Sequence, residues 1–241
     1  MLTGWIGLPD PLVAGLVARE DVDAVTLDMQ HGAVDLASAI RAIPHVLVAE
    51  KPVIVRIPVG EFATASRLLD AGASGIIAPM VNSVEDARAL VAFTKFPPLG
   101  QRSWGPALAL NISGLSPNAY LAQANALTVT LAMVETREAM DALDDILGVD
   151  GIDGVLVGPS DLSIALSGGA QVDAGHPDVW AALDHTVRRC RAVGKVSAVF
   201  AANGERARDL RQRGFDLVAL ANDTLQLRAG VKAMAEIARR D

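Results

Sequence analysis

Short runs of apolar, often β-branched residues recur along the chain, separated by longer stretches in which apolar and polar positions alternate with a helical period. The runs predict strands at Trp5–Leu8, Val25–Leu27, Val53–Ile57, Ile76–Ala78, Thr128–Val134, Val155–Val157, Val196–Phe200 and Leu217–Leu220. Helical patterns fall between them at Leu36–Ala42, Ala63–Ala71, Val84–Phe93, Glu138–Leu147, Val179–Val193, Gly204–Arg213 and Leu225–Arg239. Strands alternating with helices of this length imply βαβ crossovers and a parallel sheet. Eight strands within 241 residues favour a closed (β/α)₈ barrel, an α/β fold, with residues 1–241 forming a single domain. Gly72, Gly151, Gly194 and Gly214 each end a helical run shortly before a strand, where a left-handed residue stops a helix at little cost. A doubly wound open sheet is the alternative, but no G-x-G-x-x-G follows the first strand.

One interval breaks the rhythm. More than thirty residues separate Phe96 from Thr128, opening on Pro97-Pro98 and carrying a short helical pattern at Asn118–Ala126. A segment this long predicts a lid or a binding element.

Composition narrows the function classes. The chain is 51% hydrophobic and 20% charged, enough apolar material for a large core. Its formal charge of −7, with no basic stripe, argues against nucleic acid or an anionic membrane as partner. No apolar run reaches the ~20 residues of a membrane span, and Met1–Trp5 lacks the marks of a signal peptide. The single cysteine, Cys190, reads as a buried, inert thiol within a helix, and the expected compartment is the reducing cytoplasm.

The chemistry-bearing residues collect at predicted strand ends, the rim where barrels of this kind place their sites. The second strand runs into Asp28-Met29-Gln30-His31, the third ends near Arg56, the fifth meets Glu135, and the sixth leads into Gly158-Pro159-Ser160-Asp161. Each acid alone could be a helix cap. Together they put an acid pair, an imidazole and a guanidinium on one rim. Glu135 and Asp161, from neighbouring strands, suit a hard cation such as Mg²⁺, Mn²⁺ or Co²⁺, with water or substrate oxygens completing its shell. An acid/base dyad is the alternative. The four lysines (Lys51, Lys95, Lys195 and Lys232) precede strands or lie in helices, so no residue is available for an imine mechanism. No Gly-rich turn follows the seventh or eighth strand to hold a phosphate. Asp223 and Thr224 read as a helix N-cap.

The stretches Leu27–His31, Leu68–Ala73 through Pro79-Met80-Val81, Val134–Met140 and Gly151–Ser163, in that order, resemble the HpcH/HpaI aldolase family of metal-dependent pyruvate-type aldolases. The resemblance implies a divalent-metal-dependent lyase that joins a 2-oxo acid, pyruvate or hydroxypyruvate, to an aldehyde through a metal-stabilised enolate. It implies Glu135 and Asp161 as metal ligands, Arg56 facing the substrate oxygens, and His31 with Asp28 as the proton-transfer pair. Trp5 and Phe200 match pocket-lining positions, and the Gly158–Asp161 turn would hold the substrate carboxylate. Asp70 matches an aspartate that acts in a neighbouring subunit, which implies a homo-oligomer, typically a hexamer. Two departures stand out. Met133 occupies a position where many relatives carry Gln, and the leading helix usual before the first strand is missing. The rival readings are a CoA-ester lyase of the citrate-lyase-β or malyl-CoA type, a 2-oxo-acid decarboxylase on the same site, and a barrel that only binds.

Overall fold

A computed structural model describes residues 1–240. The first half comprises β1 (Leu2–Ile6), α1 (Pro11–Ala18), β2 (Ala24–Asp28), α2 (Leu36–Leu47), β3 (Val53–Arg56), α3 (Phe62–Asp70), β4 (Gly75–Ala78) and α4 (Val84–Thr94). Two helices follow, α5 (Ala107–Ser113) and α6 (Pro117–Leu127), before β5 (Val129–Val134). The remainder is α7 (Arg137–Asp141), α8 (Leu143–Leu147), β6 (Gly154–Val157), α9 (Pro159–Leu166), α10 (Pro177–Ala192), β7 (Val196–Phe200), α11 (Gly204–Gln212), β8 (Leu217–Asn222) and α12 (Asp223–Ala238). The eight strands are parallel and close in sequence order, β8 pairing back onto β1, as the alternation predicts. The four helix-ending glycines have φ between +67° and +102°.

The barrel interior is packed by inward-facing side chains that include Trp5, Ile54, Ile77, Leu131, Met133, Leu156 and Ala219. A second apolar layer lies between strands and helices, where Val25, Val55, Ile76 and Val134 meet Ile43, Leu68 and Leu90. Each such side chain taken fully out of water contributes roughly 1.5–3 kcal/mol. Cys190 belongs to this layer, and burial, reinforced by the charge of Asp216, pushes its thiol up to about 12. Among the described residues no helix is long and apolar enough to cross a membrane.

Two local expectations are corrected, and one helix is added. The first strand begins at Leu2, not Trp5, because Leu2 and Thr3 pair with β8; Gly7 and Leu8 leave the sheet, and their N–H groups reach the carboxylate of Asp223. Helix α1 gives no periodic contrast, being apolar on nearly every face (PLVAGLVA), and is marked instead by Asp10 at its N-cap and Pro11 in its first turn. The long interval, expected to be a lid or a binding element, does not cover this chain's own rim. It leaves the end of α4 and enters β5, so α5 and α6 lie at the amino ends of the strands, opposite the predicted rim. There Phe96, Tyr120 and Ala124 form a small satellite core.

Helix α12 closes the circuit without burying its apolar side chains. Leu227, Val231, Met234 and Ile237 are all more than 60% exposed, as are Leu12 and Leu16 on α1.

Candidate active site

A cavity of about 420 Å³ opens at the carboxyl ends of the strands, lined by residues that include Trp5, His31, Arg56, Met133, Asp161 and Phe200. A larger groove, about 730 Å³, runs outside the barrel between α4 and α8 and contains none of the predicted site residues.

One wall is built around a buried ion pair. Asp28 and Arg56 end adjacent strands in direct register. Arg56 donates from Nε to Asp28 Oδ1 at 2.9 Å and from Nη2 to Oδ2 at 2.7 Å, a bidentate pair. Trp5 Nε1 adds a third donor to Oδ2 at 3.1 Å, and the guanidinium lies 4.9 Å from the Trp5 ring centroid. Burial works to raise the Asp28 carboxyl, but Arg56, with help from Trp5 and the Gln30 N–H, holds it below the usual carboxylate range. Arg56 keeps Nη1 outside the pair, 3.7 Å from Met133 Sδ. Phe200 packs edge-on against Trp5 at 5.3 Å, so the two pocket-lining aromatics form one surface.

The expected His31–Asp28 couple is not made through the imidazole. Both Asp28 oxygens are taken by Arg56 and Trp5, and Oδ1 also accepts the backbone N–H groups of Gln30 and His31 in a tight turn. Asp28 therefore fixes where the His31 backbone sits and leaves the ring free in the cavity.

Glu135 follows β5, beside the cavity-lining Gly158, and is only 2% exposed. Its Oε1 accepts the Met80 N–H at 3.0 Å, which Met80 presents from a left-handed backbone with φ of 56°. Its Oε2 faces Gly158, where an added Cβ would come within 2.7 Å of that oxygen. Asp161 lies in the first turn of α9, on the next strand's exit, and lines the cavity. Neither acid caps a helix: Thr136 caps α7 and Gly158 precedes α9 without a side-chain bond. Loss of water raises the Glu135 carboxyl to about 7, against the Met80 hydrogen bond, and the negative charge of Asp161 adds to the rise. The two acids thus feel each other, and Glu135 has no ion-pair partner among the described residues.

That donor set fits a hard divalent cation. Two carboxylates without sulfur or imidazole supply oxygen ligands, and a cation between them would offset both the desolvation and the mutual repulsion at Glu135. No group of three or more His, Cys, Asp or Glu gathers among the described residues. An ion here would complete its shell with water or substrate oxygens.

Asp70 lies elsewhere. As the last residue of α3 it sits at the amino-terminal end of the barrel, where Arg102 Nη2 donates to it at 2.6 Å. The pair offsets the unfavourable position of a carboxylate at a helix C-terminus. Asp223 was legible only as a cap. Asn222 in fact caps α12, whereas buried Asp223 accepts the N–H groups of Gly7 at 3.0 Å and Leu8 at 2.9 Å and so shapes the cavity wall. A carboxylate just after a strand signals either role.

A family model described as HpcH/HpaI aldolase/citrate lyase matches residues 2–229. A hydroxypyruvate/pyruvate aldolase of Rhizorhabdus wittichii is 40% identical over 238 residues, covering 99% of this chain and 94% of its own. A 4-hydroxy-2-oxo-heptane-1,7-dioate aldolase of Salmonella paratyphi B is 35% identical over 231 residues, 96% of this chain and 87% of its own. Among solved structures, an HpcH/HpaI aldolase from Desulfitobacterium hafniense superposes with a TM-score of 0.90 at 27% identity, over 100% of this chain and 93% of that one. With the barrel closed over its whole length and the match spanning nearly all of it, the chain belongs to the HpcH/HpaI aldolase/citrate lyase family.

Proposed function

We infer that this protein is an aldolase, a carbon–carbon lyase that adds pyruvate or hydroxypyruvate to an aldehyde and cleaves the product, with a divalent cation held by Glu135 and Asp161. The observation that carries the reading is the buried Glu135 carboxyl, raised by loss of water and by the charge of Asp161, next to a cavity at the strand ends that Asp161, His31 and Arg56 line. The names of the relatives support the substrate class.

Lewis-acid stabilisation of negative charge at the 2-oxo group, worth several kcal/mol, is the chemistry a divalent ion supplies at this pair. The chain's own groups do the rest. The N–H groups of Ser160 and Asp161, in the first turn of α9 behind Pro159, can receive the substrate carboxylate. Arg56, locked by Asp28 and Trp5, turns its remaining Nη1 toward the developing oxyanion with little reorganisation. In the cleavage direction His31, or a water it holds, removes the proton from the alcohol while the bond between C3 and C4 breaks. In the synthetic direction it returns that proton to the aldehyde oxygen. Such general acid–base help is typically worth about 10²–10⁴-fold. Trp5 and Phe200 keep an apolar wall against the reacting carbons.

The uncovered apolar faces of α1 and α12, which a second copy would bury, support assembly into an oligomer. Such an assembly, with a hexamer as the expected state, would give Asp70 a neighbouring active site to serve. The test is direct. EDTA abolishes aldol cleavage, and Mg²⁺, Mn²⁺ or Co²⁺ restores it; activity retained in chelator, with borohydride trapping of the 2-oxo acid, would overturn the reading.

A further inference from the structure

Two backbone features meet the Glu135 carboxylate, one at each oxygen. The first is at the end of β4. Ala78 pairs with Ala132 of β5, and the Val81 N–H returns to the same strand at the Met133 carbonyl, 3.3 Å away. Between them the chain steps out of the ladder through Pro79 and Met80. Met80 is one of two residues other than glycine with positive φ among the described residues, the other being Glu50 in the exposed turn after α2. A left-handed backbone is unfavourable for a residue that carries a Cβ. Packing of the Met80 side chain does not account for it, since that residue is 38% exposed. What the turn delivers is a backbone N–H, donated to Glu135 Oε1 at 3.0 Å. The second feature is Gly158, which lies beside Glu135 because Val134 and Val157 pair in register. Its φ of −95° and ψ of 94° are extended backbone, open to most residues, so the glycine is not needed for its conformation. It is needed for space: an added Cβ would come within 2.7 Å of both Glu135 Oε2 and Met133 Cε. Both atoms are the far ends of flexible side chains, so an alanine here would displace the carboxylate and leave the barrel in place.

Resting on the reading of Glu135 and Asp161 as a cation site, we propose that Met80 and Gly158 are positioning residues for the Glu135 carboxylate. The Met80 N–H occupies Oε1, and the bare Cα of Gly158 makes room for Oε2, the oxygen left for the cation. A glutamate side chain turns about several bonds, and holding it in one rotamer costs entropy that a wall and a hydrogen bond remove in advance. The left-handed turn is the local cost of that aim, set where the chain would otherwise continue straight along the ladder.

The experiment reads Mn²⁺ affinity by electron paramagnetic resonance, without substrate. Gly158→Ala should bind Mn²⁺ about 10–100-fold more weakly, while the Tm of the metal-free protein changes little. Replacing Met80 by its α-hydroxy acid analogue turns the N–H into an ester oxygen and keeps the side chain; this should weaken binding by about tenfold. Made together with Glu135→Gln, Gly158→Ala should cost little further affinity, because the carboxylate it displaces is already gone. Unchanged affinity in Gly158→Ala or in the ester protein overturns the positioning role of that residue. An equal loss with and without Glu135→Gln would place the effect on Asp161 and overturn the role of Gly158. Those results leave the cation site standing. Its own failure reads differently: no Mn²⁺ site in the unsubstituted protein, or one that Glu135→Gln leaves intact, overturns the cation reading and both positioning roles with it.

Discussion

Lys95 and Glu135, at opposite ends of the barrel, are each buried almost completely and are treated in opposite ways. At the amino end Lys95, 1% exposed, donates to the carbonyls of Asn125 at 2.9 Å and Thr128 at 2.6 Å and to Asp153 at 2.7 Å. Every proton of its ammonium has an acceptor. The surrounding loop and α6 are pinned to the start of β5 as a result. At the carboxyl end Glu135, 2% exposed, has one backbone donor, an acid for a neighbour and only the more distant charge of Arg56 in its favour. A buried charge with all its partners present holds structure together, whereas a buried charge left short of partners is poised to receive something from outside. Asp28 and Arg56 combine both states, since the pair is satisfied on one side and Arg56 Nη1 is left toward the cavity.

The largest break in that comparison is expected at Arg56. Arg56→Met strips a buried carboxylate of its counter-charge and should destabilise the fold by about 3–5 kcal/mol, seen as a fall in the urea midpoint. Asp28→Asn in the same chain should recover much of that loss while aldol cleavage stays low. Recovery of activity along with stability would show that Arg56 serves the fold alone.

Lys95 and Glu135 should then move stability in opposite directions. Lys95→Met takes a donor from two carbonyls and leaves Asp153, still bonded by the Thr130 N–H, without its counter-charge, and should cost about 2–4 kcal/mol, while activity per folded molecule is retained. Glu135→Gln removes a charge whose burial is unfavourable, so the metal-free protein should gain Tm at pH 8 as it loses catalysis.

The same logic gives a pH dependence. The folded Glu135 carboxyl lies near 7, above its ordinary 4.5, so ionisation opposes folding. The metal-free protein should keep its full Glu135 contribution below about pH 4.5 and lose roughly 3 kcal/mol of it as pH rises through 7. Thermal melts between pH 5 and 8, with and without Mn²⁺, check this, because a bound divalent ion should flatten the loss. The smallest effect is reserved for Met133→Gln. An amide oxygen in place of sulfur gives Arg56 Nη1 a better acceptor and should change KM for pyruvate against hydroxypyruvate by under about tenfold, with stability unmoved.

Much of this was legible before any coordinates. The alternation of apolar runs and helical patterns predicts eight parallel strands, and the rim acids follow because each comes directly after a strand. Helix α1 escaped because a segment apolar on all sides has no period to detect. The length of the interval between Phe96 and Thr128 predicts a lid or a binding element but does not say at which end of the barrel it lies. Its place after a helix and before a strand already set it at the amino end. The pairing of Asp28 with Arg56 depends on register between β2 and β3, which residue spacing within one strand does not encode. Nor does the sequence distinguish Asp223 as a cap from Asp223 as the acceptor for Gly7 and Leu8, since both uses need only a carboxylate after a strand.

The central claim is that Glu135 and Asp161 grip one divalent cation, and titration of Mn²⁺ by electron paramagnetic resonance at pH 7.5 reads it without any substrate turnover. The account predicts one site per chain in the unsubstituted protein, weakened about a hundredfold or more by Glu135→Gln although the variant folds. Equal Mn²⁺ affinity in the two proteins would contradict it.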